Sequence, residues 1–252
     1  MQKKITFHNS KGDKLVGILS NPTEDKEKIV LICHGLASNK DRPIYVKMEE
    51  ALNKNNIATF RFDFFGQGKS EGKFEEITMT ELVDDILQAV LFLKIKGYSE
   101  FGIFGSSMGG TAAIIAATRI EELYVLAIRC SSIDYHSKLL KKKTKEYLED
   151  WKEKGFVLKR GFDGRMERLN YTMVEDVVKY DGFEACKEIG VPTILVHGEK
   201  DESSPVEQVK KAAKLIKNCK LEILKGVGHH FTEAGAFEKG LELLSDFIIS
   251  HS

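Results

Sequence analysis

Six stretches of this chain are almost unbroken runs of apolar residues. They are Lys28-Ile29-Val30-Leu31-Ile32-Cys33 and residues 57–63, 101–105, 123–130, 192–196 and 221–224. Continuous runs of this length suit strands covered on both faces. Between them the apolar period changes to that of a helix. Leu82, Ile86, Ala89, Val90 and Leu93 form one stripe, and Thr78 and Glu81 before them have capping-box spacing. Pro43 fits a first helical turn, where its missing N–H costs nothing. Ser204-Pro205-Val206-Glu207 predicts another helix start, with Ser204 as cap. Residues 111–119 predict a helix of small residues, and residues 237–249 the last helix. At the beginning, residues 4–9 and 15–20 flank a Lys11-Gly12-Asp13 turn and predict an antiparallel hairpin. Strands alternating with helices imply an α/β fold: a mostly parallel sheet with helices on both faces.

The rhythm breaks between residues 134 and 190, where no buried strand is legible. Residues 138–154 are charged and helical, with Leu140, Tyr147, Leu148 and Trp151 on one side. Residues 156–169 read as irregular or hairpin-like, with a turn at Asp163-Gly164. The expected organisation is therefore a core of residues 1–133 and 191–252 with a small cap, 134–190, inserted over the sheet's carboxyl edge. An insertion this long is usually functional.

Charge and composition narrow the partners. The chain has 252 residues, 42% of them hydrophobic, and 38 basic residues balance 38 acidic ones. A nucleic-acid partner, which shows as a basic excess, is not expected. No run reaches the roughly 18 apolar residues of a membrane span, and none of signal-peptide length follows Met1, so a cytoplasmic protein is expected. Cys33, Cys130, Cys186 and Cys219 are widely spaced, form no Cys-x-x-Cys pair, and read as buried small hydrophobes.

Gly105-Ser106-Ser107-Met108-Gly109 carries the chemistry. It matches Gly-x-Ser-x-Gly between a predicted strand and a predicted helix, the setting in which a serine is held on a tight turn above the sheet. Ser107 is the candidate nucleophile, and Ser106 is read as structural. A serine hydroxyl needs a base to take its proton. Gly226-Val227-Gly228-His229-His230 follows the last strand, with His229 favoured and His230 the alternative. His34 and His197 each close a strand in a His-Gly pair and read as turn-shaping. The base needs an orienting acid. Asp201 is chosen from the Glu199-Lys200-Asp201-Glu202 loop, where Glu199 and Glu202 remain alternatives. An oxyanion needs two backbone donors. Position suggests the N–H groups of Met108 and Leu36.

At these residues the chain resembles the α/β-hydrolase superfamily. The likeness is greatest to bacterial carboxylesterases, feruloyl or cinnamoyl esterases, and monoacylglycerol-lipase-like serine hydrolases. It spans nearly the whole length. One loop, Asp63-Phe64-Phe65-Gly66-Gln67-Gly68-Lys69-Ser70, departs from that group, which usually carries Arg where Phe65 stands and His where Gln67 stands. The resemblance implies the inserted cap, no metal and no organic cofactor. It places substrate choice in the cap, where Tyr135, Trp151, Phe156 and Tyr171 are wall candidates no better founded than ordinary packing. The expected activity is hydrolysis of small to medium acyl or aryl esters through an acyl-enzyme, by a monomer or homodimer. The same triad on thioesters, peptides or carbon–carbon bonds is the alternative, and a non-catalytic ligand-binding role comes last. A dehalogenase is disfavoured because the elbow carries Ser, not Asp.

Overall fold

The computed structural model of the chain describes residues 2–23, 25–136, 144–161 and 164–252. Eight strands form one sheet: β1 (Gln2–His8), β2 (Lys14–Ser20), β3 (Lys28–Cys33), β4 (Ala58–Asp63), β5 (Glu100–Ser106), β6 (Leu123–Arg129), β9 (Thr193–Gly198) and β10 (Cys219–Leu224). Their order is β1-β2-β4-β3-β5-β6-β9-β10. The first hairpin pairs antiparallel internally and onto β4. From β4 to β10 every neighbour is parallel.

Alternate side chains of the central strands feed two cores. Leu31, Phe60, Phe62 and Ile103 pack under α2 (Met79–Ile95) and α3 (Met108–Ala117). Val30, Ile32, Phe104 and Val125 pack on the other face, under α1 (Pro43–Lys54) and the last helix. Both faces are thus buried, as the continuous apolar runs require, and each fully buried large side chain contributes about 1.5–3 kcal/mol. No helix among the described residues is long and apolar enough to cross a membrane.

Between β6 and β9 lie α4 (Lys145–Lys154), the antiparallel hairpin β7 (Phe156–Arg160) and β8 (Met166–Asn170), α5 (Thr172–Val177) and α6 (Gly182–Glu188). The first residues of the expected charged helix, 138–143, and Asp163 of the expected turn lie outside the described residues. The two short helices have no clear period in sequence and were not anticipated. Local caps and one tether hold them. Asp181 Oδ1 accepts the N–H groups of Phe183 and Glu184 at 2.8 and 3.1 Å. Asp176 accepts from the Thr80 N–H and hydroxyl at 2.8 and 2.6 Å, fastening α5 to the start of α2.

Two helix starts differ from expectation. Helix α3 begins at Met108 rather than 111, so that Gly109 and Gly110 are helical despite their poor propensity. Helix α7 (Val206–Leu215) has Pro205 at its N-cap, and Ser204 does not cap it. The Ser204 hydroxyl instead meets Ser132 Oγ at 2.7 Å, and its N–H is drawn to Asp201. Of the expected box on α2, only half forms. Thr78 Oγ1 accepts from the Glu81 N–H at 3.1 Å, while the Glu81 carboxylate turns to Lys11.

On α2, Asp85 is fully buried, with one carboxylate oxygen accepting the Phe65 N–H at 2.7 Å and the other without a hydrogen-bond partner among the described residues. Burial pushes its carboxyl up to about 8, against the pull of the Phe65 N–H, and the charges of Asp84 and Glu81 add to the rise. The folded protein then holds this proton more tightly than the unfolded chain, so the group's contribution falls as pH rises from about 4 to about 8. Asp85→Asn should gain stability relative to wild type by on the order of 1 kcal/mol or more between those limits, then stay level. Urea unfolding of both proteins at pH 5 and 9 measures this; an unchanged difference would contradict the buried proton.

Candidate active site

The loops that follow β3, β5, β6, β9 and β10 all leave the carboxyl edge of the parallel sheet, where ligands bind in folds of this kind. Ser107 sits between β5 and α3 at φ 53° and ψ −123°, a region costly for a residue with a side chain. Its neighbours hold it there. The Ser107 N–H donates to the Arg129 carbonyl at 2.8 Å, and the Ser131 hydroxyl donates to the Ser107 carbonyl at 3.0 Å. A Cβ on Gly109 would stand 2.1 Å from the His34 carbonyl oxygen, so only glycine lets α3 approach the β3 loop this closely. A Cβ on Gly35 would meet the Ser107 Cβ at 3.1 Å.

The structure brings Ser107, His229 and Asp201 into one chain of contacts. His229 Nε2 lies 3.1 Å from Ser107 Oγ, and Nδ1 lies 2.7 Å from Asp201 Oδ2. The second Asp201 oxygen accepts the Ser203 and Ser204 N–H groups at 2.8 and 2.7 Å. Burial pushes the Asp201 carboxyl up, but the hydrogen bond and charge of His229 and the Ser204 N–H more than offset this and hold it below the usual carboxylate range. Aspartate is thus ionised and can fix the imidazole with its proton on Nδ1, leaving Nε2 to accept from serine.

The alternatives are employed elsewhere. The His230 ring stands edge-on to His229 with centroids 5.1 Å apart. Glu199 accepts the Gly226 N–H at 2.8 Å, and Glu202 is exposed. Ser106 Oγ accepts from Arg129 at 3.0 Å. His34 donates from Nδ1 to the Gly35 carbonyl at 2.7 Å and accepts the Phe64 N–H on Nε2 at 3.1 Å. Burial pushes its pKa down, so this neutral ring ties the β3 loop to the β4 loop. His197 donates from Nε2 to the Ser204 carbonyl at 2.8 Å and lies 3.3 Å from Asp201 Oδ2, a second support for the acid loop.

Neither the Leu36 nor the Met108 N–H has a hydrogen-bond partner among the described residues. Met108 opens α3, so its free N–H is reinforced by the positive end of that helix.

A cavity of about 660 Å³ adjoins Ser107 and His229. Leu36, Ile44, Tyr45, Phe231 and Phe237 give it apolar walls. Among the described residues none from 134–190 lines it, which departs from the expectation that the insertion shapes the substrate space. Trp151 is instead buried, with its indole N–H on the Leu169 carbonyl at 3.1 Å and its ring edge-on to Tyr171. Tyr135 is buried in the core and Phe156 lies under Arg168 at 4.5 Å. Arg42, Tyr45 and Arg129 are among the lining residues that escaped the sequence reading. Only Arg129 left a signal, a charge closing an otherwise apolar strand.

Among the described residues one group of metal-ligand types lies together, Cys130, His197 and Asp201, with ligand atoms within 4.8 Å. Its chemistry suits hydrogen bonding better. Burial pushes the Cys130 thiol up to about 12, and His197 Nε2 carries the proton it gives Ser204.

An eight-stranded, mostly parallel sheet with a serine on a strained strand–helix turn defines an α/β-hydrolase. The chain belongs to the Hydrolase_4 family (serine aminopeptidase, S33), whose profile matches residues 24–157. It is a hydrolase with esterase- and thioesterase-like relatives. The mouse mitochondrial palmitoyl-protein thioesterase ABHD10 is 26% identical over 211 residues, 80% of this chain and 68% of that protein. A bifunctional esterase/perhydrolase, DCH, of Acinetobacter calcoaceticus is 25% identical over 226 residues, 75% of this chain and 81% of that one. Among solved structures, Est1E of Butyrivibrio proteoclasticus with bound ferulic acid superposes with a TM-score of 0.84 at 25% identity, covering 98% of both chains.

Because the space at Gly109 is filled by the His34 carbonyl, Gly109→Ala should cost about 1–3 kcal/mol, as overpacking does. Urea unfolding should show the loss as a lower midpoint at unchanged slope. A neutral substitution would mean that the β3 loop can retreat from α3.

Proposed function

We propose that this chain is a serine carboxylic ester hydrolase acting on small to medium acyl or aryl esters. The observation that carries the reading is the Asp201–His229–Ser107 chain, 2.7 and 3.1 Å, beside two unspent backbone N–H groups. In this reading Ser107 Oγ attacks the ester carbonyl carbon while His229 Nε2 takes its proton. The Leu36 and Met108 N–H groups receive the developing oxyanion. The imidazolium then protonates the departing alkoxide as the carbon–oxygen bond breaks, leaving the acyl group on Ser107. Water attacks that acyl-enzyme, giving its proton to His229, and the acid leaves as the serine proton is restored. Asp201 holds the ring and stabilises its charge throughout. Residues 1–133 and 191–252 would form the core that carries this machinery, and residues 134–190 a cap beside it.

The resemblance to Est1E with ferulic acid supports including an aryl ester among the substrates, and ABHD10 a thioester. The test is hydrolysis of p-nitrophenyl esters from acetyl to palmitoyl, methyl ferulate, a palmitoyl thioester and an aminoacyl p-nitroanilide. Ester turnover should exceed amide turnover and fall at least about 10³-fold in Ser107→Ala. Asp201→Asn, which leaves the histidine in the wrong tautomer, should lower kcat by about 10³–10⁴. Equal ester turnover in Ser107→Ala defeats the reading, and faster thioester or amide cleavage moves the assignment to that bond.

A further inference from the structure

The buried cations of this chain are handled in two ways. Lys40 is matched by Asp63 at 2.7 Å and Arg61 by Glu49 at 3.0 Å. Arg129, only 6% exposed, has no carboxylate within 4 Å among the described residues. Its hydrogen-bond partners are neutral: Nη1 donates to Ser106 Oγ at 3.0 Å and Nη2 to the His229 carbonyl at 3.1 Å. The Phe231 ring centre lies 4.3 Å from Cζ, and Nε has no partner among the described residues. A charge withdrawn from water without a counter-ion is costly, and this one stands on the wall of the cavity beside Ser107.

That wall carries a second cation. Arg42, half-buried, is the N-cap residue of α1. The first turn of α1, Pro43-Ile44-Tyr45, lines the same cavity and contains no acidic residue. The positive end of a twelve-residue helix therefore adds to the two arginines. Among the described residues no aspartate or glutamate lines the cavity. Neighbouring acids are engaged: Asp41 with Arg61 and Lys40, Glu233 with the Gly228 N–H, Asp201 with His229. In a chain of zero formal net charge, this apolar cavity is locally positive.

We infer that the cavity selects esters with an apolar body and a free carboxylate, the carboxylate received by Arg129 and Arg42. The inference rests on the ester-hydrolase reading for its turnover arm but not for its binding arm. Mono-p-nitrophenyl esters of glutaric, adipic and suberic acid are compared with p-nitrophenyl esters of equal chain length that end in a methyl group. The best half-ester should exceed its neutral counterpart at least tenfold in kcat/KM. Arg42→Gln should bring that ratio towards one, chiefly through KM for the half-ester, and Arg42→Lys should restore part of it. In parallel, Ser107→Ala is titrated calorimetrically with monomethyl and dimethyl suberate. The monoacid should bind at least tenfold more tightly, and added salt should erode the difference. A wild-type ratio at or below one, equal affinities, or no binding of either suberate overturns the inference. Tight monoacid binding without turnover of any ester keeps the carboxylate site and defeats the ester reading alone.

Discussion

The strained backbone of Ser107 is the constraint to which the rest of the edge is fitted. A serine at φ 53° is maintained only if its surroundings leave it nowhere else to go. Here the N–H is anchored on β6 and the carbonyl on Ser131, and α3 is pressed on the β3 loop through Gly109. These ties come from strands adjacent to β5 in the sheet. The turn is therefore not a local property of Gly-x-Ser-x-Gly. It requires β3, β5 and β6 to be parallel and in register, so the fold and the site form together.

Buried polar groups extend that fixation outward from the elbow. Asp63, at the end of β4, accepts the Lys40 N–H at 2.7 Å and the Lys69 N–H at 2.9 Å, and its carboxylate fills the space a Cβ on Gly68 would need. The loop bearing Leu36 and the loop bearing Gln67 thus share one carboxylate, and His34 adds a second link through the Phe64 N–H. A fully partnered buried network rigidifies, whereas an incomplete one is costly. Gln67 shows the contrast. Both its amide atoms are buried without a partner among the described residues. Phe65, two residues earlier, packs its ring on Gly72. The two loops are secured by Asp63 and His34 rather than by the positions between them.

Legibility in the sequence followed the range of the interactions. Strands buried on both faces announce themselves as apolar runs, and α2 by its stripe and Thr78 cap, because each is set by its own residues. The meeting of Ser107, His229 and Asp201 could be anticipated because one motif and two strand ends suffice to place them on one edge. Where local signals compete, sequence reasoning fails for a physical reason. Ser204 has every mark of an N-cap, but its N–H and carbonyl are worth more to Asp201 and His197, so the helix begins without it. Helices α5 and α6 are six and seven residues long, too short for a period, and α5 depends on Asp176 reaching Thr80 from 96 positions away. The cavity is the least legible feature. Its walls come from the start of α1 and the approach to the last helix, segments nearly two hundred residues apart, while aromatic residues such as Trp151 that looked suited to a pocket are used up in packing.

Arg129 joins these levels. Through its carbonyl it anchors the Ser107 N–H, and through its guanidinium it holds Ser106 and the His229 carbonyl. One residue therefore spans the nucleophile turn and the histidine loop. A neutral donor such as glutamine could make hydrogen bonds of that kind without the desolvation cost of a full charge. Stacking on Phe231 recovers part of that cost, on the order of 1–2 kcal/mol for a desolvated pair, but does not neutralise the ion. What positioning alone leaves unexplained is the charge, and the cavity wall is where an anion could supply the missing partner.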